Sequence, residues 1–138
     1  IMRTPKDLVL IADRIENHNH SKISSTTLEF VEDEYFQALF DTMQSINSNF
    51  IHYQSPYIFL ENITKHKNSI VLSVWSGEKS RNRKALVPSI CEAYNIPYVG
   101  ADSYLHIISA DKHLSKKICL PFGVEGAKDS IEIYTSLI

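Results

Sequence analysis

The chain has 138 residues, of which 43% are hydrophobic and 22% charged, with a formal net charge of -2. This composition is typical of a globular protein, and the length suits one domain with a real core. The slight acidity argues against a general nucleic-acid binder, which would carry a basic surplus. No stretch reaches the apolar length of a membrane span, and the N-terminus lacks a signal-peptide pattern.

The two cysteines, Cys91 and Cys119, have no CxxC spacing. We expect both to be reduced thiols of a cytoplasmic protein that binds neither membranes nor nucleic acid.

Apolar and β-branched runs predict the strands of a parallel sheet. They lie at residues 7–13, 50–53, 69–75 and 95–100. The first run is continuously apolar between charged residues, as in a central strand that is buried on both faces. Residues 130–135 alternate in polarity, which predicts a fifth strand at an edge of the sheet.

Helices are predicted between these strands. A capping box at residues 26–29 precedes an apolar helical face that continues to Ile46. Pro56 is expected to open a brief helix. Another helix should start near Val87, because Pro88 is tolerated only in the first turn. The residues expected to face inward from that helix are Ile90, Cys91 and Ala93.

A last helix is predicted over residues 103–118, because its apolar residues keep helical spacing. Asp102 or Ser103 is the expected N-cap. This prediction places Lys112 about two turns into the helix. Asp111 is expected to cap or to form an ion pair locally.

The alternation of strands and helices predicts an α/β fold. We expect a Rossmann-like three-layer domain with a mostly parallel sheet of four to five strands. Residues 1–120 should form this domain, and residues 121–138 a turn-rich exit segment. In open sheets of this kind, ligands bind beyond the carboxyl ends of the strands.

Residues 96–100 read Ile-Pro-Tyr-Val-Gly and are followed by Asp111, Lys112 and Lys116. A strand, a Gly-Glu pair at residues 77–78 and a helix come before them. Over residues 70–118 this pattern resembles the end of the N-terminal, pre-ATP-grasp domain of D-alanine–D-alanine ligases and their ATP-grasp relatives. The ATP-grasp domains proper would follow residues 121–138.

The resemblance implies roles for five residues. Lys112 matches a lysine that reaches the bound nucleotide; the alternative is an exposed helix lysine. Glu16 lies in the loop where the ligases hold the amino group of the substrate. Ser24 or Ser25 matches the loop serine unless it only caps a helix. Gly77 and Glu78 align with the substrate-lining segment after the third strand. Ser76 stands where the family has a histidine, so the substrate stays open.

Two further clusters have open interpretations. His18 and His20 alternate on a polar loop, but no third ligand stands at a known metal-binding spacing, so no metal site is expected. The basic cluster of Arg81, Arg83 and Lys84 suits either an anionic ligand or a solvated surface. No Walker A loop and no nucleophile elbow is present.

The resemblance implies that the full-length protein is an ATP-dependent carboxylate–amine ligase. It would use ATP and magnesium on an amino-acid-like substrate. We expect the metal ligands and the catalytic residues in the missing ATP-grasp domains, so the chain alone should be inactive. The protein is either a monomer or a homodimer; the sequence does not distinguish the two. The alternative function is a stand-alone Rossmann-like binding or interaction module without catalysis.

Overall fold

The computed structural model describes residues 7–14, 32–47, 49–75 and 82–123. Its four strands form a parallel sheet in the order β2-β1-β3-β4. The strands are β1 (Asp7–Ile11), β2 (Phe50–Tyr53), β3 (Ser69–Ser73) and β4 (Tyr98–Val99). The helices are α1 (Asp33–Ile46), α2 (Pro56–Glu61), α3 (Leu86–Ala93), α4 (Ser103–Ala110) and α5 (Lys112–Cys119). Short 3₁₀ turns lie at Ile63–His66, Arg83–Ala85 and Leu120–Phe122. The α/β, Rossmann-like prediction is confirmed.

Strand β1 is buried on both faces, as its apolar run predicts. Val9 and Ile11 belong to one core cluster, whereas Leu10 and the following Ala12 belong to another. Successive side chains of a strand point to opposite faces, so the two clusters lie on opposite sides of the sheet. The three layers are therefore helix, sheet and helix.

Different helices complete the two clusters. On one side α1 contributes Phe36 and Met43. The other side is filled from α2, the 3₁₀ turn after it and α3. The residues that these elements bury there are Phe59, Ile63, Val87 and Cys91.

Two helix starts differ from or refine the predictions. Helix α1 begins at Asp33, because Glu32 has an extended backbone with ψ of 144°. The predicted capping box at residues 26–29 lies outside the described residues. Helix α3 begins at Leu86 and holds Pro88 at its third position, where the missing N–H leaves no helical hydrogen bond unmade. Ala93, predicted to face inward, is exposed because it lies in the last turn of α3.

The strands β3 and β4 are shorter than predicted. β3 ends at Ser73 rather than at Trp75, and β4 keeps only Tyr98 and Val99. The pairing of β4 with β3 stops before Gly100, whose backbone has a φ of 121°. The predicted edge strand at residues 130–135 lies outside the described residues.

His66 is a buried polar residue next to the core, only 1% exposed. Its Nε2 is 2.8 Å from the Tyr53 hydroxyl, and its Nδ1 is 3.1 Å from Ser69 Oγ. The ring also stacks on Phe59, with the centroids 5.5 Å apart. Burial lowers the pKa of His66; Lys65 lowers it further, and Asp7 opposes the shift. His66 is therefore neutral in the folded protein at neutral pH.

We expect the free energy of unfolding to fall as the pH drops below 6.5, the ordinary histidine pKa. In this window the unfolded chain, with the ordinary histidine pKa, binds a proton that the folded chain does not. The slope from one such group is at most about 1.4 kcal/mol per pH unit. Urea titrations of the chain and of His66→Gln measure it. An identical slope in the variant would contradict the assignment to His66.

Candidate functional site

The strand order switches between β1 and β3. The chain passes from β1 to β2 on one side and then returns to place β3 on the other side of β1. Ile11 pairs with Ser73, and the N–H of Val74 donates to the carbonyl of Ile11 at 3.0 Å. The two strands therefore end together, at the kind of crevice where open α/β sheets bind ligands.

The end of β1 is held by its neighbours. His52 Nε2 lies 3.0 Å from the carbonyl oxygen of Ala12, and Asp13 is only 2% exposed. Arg14 donates from Nε to Asp33 Oδ1 at 3.2 Å, and its guanidinium carbon lies 5.1 Å from the centroid of the Phe36 ring. Arg14 is thus fixed against the first turn of α1.

A crevice of about 220 Å³ lies beside the carboxyl ends of β3 and β4; we call it the β3–β4 crevice. The sheet contributes Val71 and Ser73, with Val74 and Trp75 just beyond β3. Other lining residues come from β4 and from the helical segments: Lys84, Val87, Pro88, Tyr98, Val99 and His106. Lys84 belongs to the basic cluster for which an anionic ligand and a solvated surface are the alternatives.

A polar network fixes α4 beside this crevice. Glu92 of α3 accepts from the Tyr98 hydroxyl at 2.7 Å and from the Ser103 N–H at 3.5 Å. The Ser103 and Ser89 hydroxyl oxygens are 2.8 Å apart. The hydrogen bond to Glu92 is the main cause that raises the pKa of Tyr98 to about 12, with burial adding to it. Because Ser103 opens α4, the network positions His106, one turn later.

Glu16, Ser24, Gly77 and Glu78 lie outside the described residues, as do His18 and His20. In the sequence, Glu16 follows soon after Arg14, at the end of β1. Gly77 and Glu78 follow Trp75, at the end of β3.

Lys112 is described, and its predicted position is wrong. It is exposed and opens α5 instead of lying two turns into a longer helix. The break is at Asp111, whose backbone is extended and whose Oδ1 accepts from the N–H of Leu114 at 3.0 Å. The local capping role predicted for Asp111 is confirmed. Lys112 is not among the residues that line the β3–β4 crevice.

Asp102 caps α4 in the same way, accepting from the N–H of Leu105 at 2.8 Å. This confirms the first of the two predicted N-caps. The helices α4 and α5 are joined by the Ser115 hydroxyl, which donates to the carbonyl oxygens of Ile108 and Asp111. Lys112 is therefore positioned through α4, and α4 through the Glu92 network.

Sequence reasoning did not identify His106, Trp75 or Glu92 as parts of a site. His106 was one of several scattered histidines, and Glu92 resembles an ordinary exposed helix acid. The signal that could have found Trp75 was its place as the last residue of the predicted third strand, at the carboxyl edge.

The described residues suggest neither a metal centre nor a thiol nucleophile. No group of three His, Cys, Asp or Glu side chains in the described ranges could hold a metal ion. Cys91 is fully buried, and burial, followed by the nearby Glu92, raises the pKa of its thiol to about 11. None of the helices in these ranges has the length and apolarity required to cross a membrane.

The fold and the edge crevices define an open α/β domain of the Rossmann-like class. No protein-family model matches the chain, and no curated protein or solved structure is significantly similar to it.

Proposed function

We propose that the chain is the N-terminal domain of an ATP-dependent carboxylate–amine ligase similar to D-alanine–D-alanine ligase. The observation that carries the proposal is that β1 and β3 are adjacent and end in register where the strand order switches. In the sequence, Glu16 follows the first of these ends, and Gly77 and Glu78 follow the second. Residues that the resemblance assigns to one substrate site thus follow neighbouring strand ends.

In this proposal the domain lines two sites. Glu16, Ser24, Gly77 and Glu78 contact an amino-acid-like substrate, and Lys112 contacts the nucleotide. An exposed lysine at the start of a short helix fits that role, because its ammonium group can reach a phosphate oxygen without a fixed geometry. The magnesium ligands and the phosphate-binding loop would belong to ATP-grasp domains outside this chain.

ATP supplies the phosphoryl group when it is bound. The carboxylate of one substrate attacks the γ-phosphorus, which gives an acyl phosphate and releases ADP. The neutral amine of the second substrate then attacks the acyl carbon, inorganic phosphate leaves, and the nitrogen loses one proton to the solvent. The part played by this chain is to position the substrate and to balance charge, which carry most of the catalysis in phosphoryl transfer.

ADP release tests this proposal. The full-length protein should release ADP from MgATP only when both a carboxylate and an amine substrate are present, supplied as pairs of amino acids. The 138-residue chain alone should release none. Steady phosphate release from a clean preparation of the chain, or substrate-independent ADP release by the full-length protein, would contradict the proposal.

A stand-alone binding module is the second candidate, and one observation favours it. The β3–β4 crevice combines an apolar lining with the polar side chains of Lys84 and His106, as small-molecule sites generally do. The native reading frame separates the candidates, since a ligase needs further domains with a glycine-rich loop and carboxylate metal ligands.

For both candidates we propose a cytoplasmic location, which the two cysteines, not joined in a disulfide, support. A homodimer remains part of the ligase proposal.

A further inference from the structure

We infer that the β3–β4 crevice binds a small organic carboxylate with a branched-alkyl or aromatic body. The inference does not depend on the ligase proposal, because it rests only on the side chains that line this crevice. Neither Lys112 nor the segments with Glu16 and Glu78 enter the argument.

The size of the crevice sets the size of the ligand. Its volume is about 220 Å³, whereas an apolar cavity of about 150 Å³ already accepts benzene. A six-carbon body with a carboxylate group therefore fits inside the crevice.

The apolar part of the lining selects the body of the ligand. Val71, Val87 and Pro88 are buried, and the half-buried Trp75 adds an aromatic surface. Small-molecule sites generally combine such an apolar lining with a few polar groups that fix orientation. A fully polar ligand would leave most of this surface without a matching contact.

The polar part of the lining favours a ligand with a negative charge. Lys84 lines the crevice, and its ammonium group carries three N–H donors, so a ligand can accept from it beside the contact that it already makes. Ser73 Oγ accepts from the Trp75 N–H at 3.4 Å, so its hydroxyl proton can still be donated. His106 adds a ring nitrogen. A carboxylate can accept from such donors, whereas a protonated amine has no acceptor to offer them.

The fold keeps these groups together before a ligand binds. The Glu92 contacts with Tyr98 and Ser103 join α3, β4 and the start of α4. Since α4 carries His106 and α3 carries Val87, the two helical sides of the crevice cannot separate without breaking this network. A preorganised site loses less free energy on ordering when it binds.

Trp75 provides the measurement, because it is the only tryptophan of the chain and lines the crevice. We would titrate the 138-residue chain with 4-methylpentanoate and with phenylacetate, following tryptophan fluorescence. The uncharged partners are 4-methylpentanamide and phenylacetamide, and inorganic phosphate tests charge without an apolar body. Both acids should give saturable changes, and the amides and phosphate should bind about tenfold more weakly or worse.

Three variants separate charge from shape. Lys84→Met should weaken binding of the acids about tenfold and leave the amides unchanged. Lys67→Met, an exposed lysine just before the amino end of β3, is the matched control and should change neither. Val99→Phe should weaken both classes by filling the crevice, and Val99 is exposed enough to accept the larger ring.

Several results would overturn the inference. These are the absence of a saturable signal with either acid, equal affinity for acid and amide, phosphate binding as tight as that of the acids, or equal losses in Lys84→Met and Lys67→Met. If Lys84→Met does not melt cooperatively, the acid and amide pairs on the unchanged chain decide the question of charge. No ATP is present, so failure here is distinct from failure of the ligase proposal.

Discussion

Phe59→Ala should be the most destabilising single substitution that we consider, lowering the free energy of unfolding by about 3–5 kcal/mol. Phe59 is 0% exposed and lies in the cluster that joins α2 and α3 to the sheet. It also stacks on His66 and lies 5.9 Å from Tyr53, centroid to centroid. Truncation leaves a cavity beneath a buried polar network. Thermal unfolding followed by circular dichroism should be cooperative for the chain, with the midpoint lower by roughly 10 °C or more in the variant.

Phe122→Ala is the matched control, since Phe122 is 81% exposed in the last 3₁₀ turn. The same change of side chain should alter stability there by no more than about 0.5 kcal/mol. Similar losses in both variants, or a broad melt of the unmodified chain, would show that the cluster around Phe59 does not hold the fold together.

Lys112→Met should weaken ATP binding by the full-length protein by roughly 10- to 150-fold, if the proposed nucleotide contact exists. The methionine keeps most of the apolar stem and removes the charge. A charge-assisted contact is worth about 1.5–3 kcal/mol, which corresponds to that range of affinity. Stability should change by no more than about 0.5 kcal/mol, because Lys112 is exposed. Equilibrium titration with ATP gives the dissociation constant.

Lys116→Met is the control for this experiment. Lys116 lies one turn further along α5, so the substitution removes an equal charge from the same helix. We expect its ATP affinity to match that of the unmodified protein. Equal losses in both variants would indicate a general effect of charge, and no loss in either would leave Lys112 as a surface lysine.

The central part of the fold was predictable because local sequence and burial agree there. The apolar run of β1 and the short strand at Phe50–Tyr53 have boundaries close to those expected. The break at Asp111 was not predictable from spacing. Leu105 and Ile108 have helical spacing before the break, and Leu114 and Ile118 have it after the break, so the apolar pattern was interpreted as one helix. Capping by the Asp111 side chain, which competes with helix continuation, ends α4 instead.

The candidate site was predictable only as a location. Alternating strands and helices indicate a carboxyl edge, but not that β3 lies beside β1. The β3–β4 crevice depends on that tertiary arrangement, since Lys84 and His106 come from separate helical segments. The sequence marks Lys84 only as part of a basic cluster with two interpretations, and nothing in the local sequence distinguishes His106 from other polar surface residues. The pairing of Glu92 with Tyr98 likewise appears only when α3 packs beside β4.

The break at Asp111 also divides the molecule energetically. Neither α4 nor α5 buries a side chain fully, and the contacts that hold them include the caps, the Ser115 bridge and the Glu92 network. Contacts of this kind contribute about 1 kcal/mol each, far less than the apolar core. Sub-global opening of α4 and α5 should therefore need less free energy than unfolding of the sheet. The position of Lys112 then varies as α4 and α5 open and close. A partner that binds Lys112 would restrict this variation without altering the core.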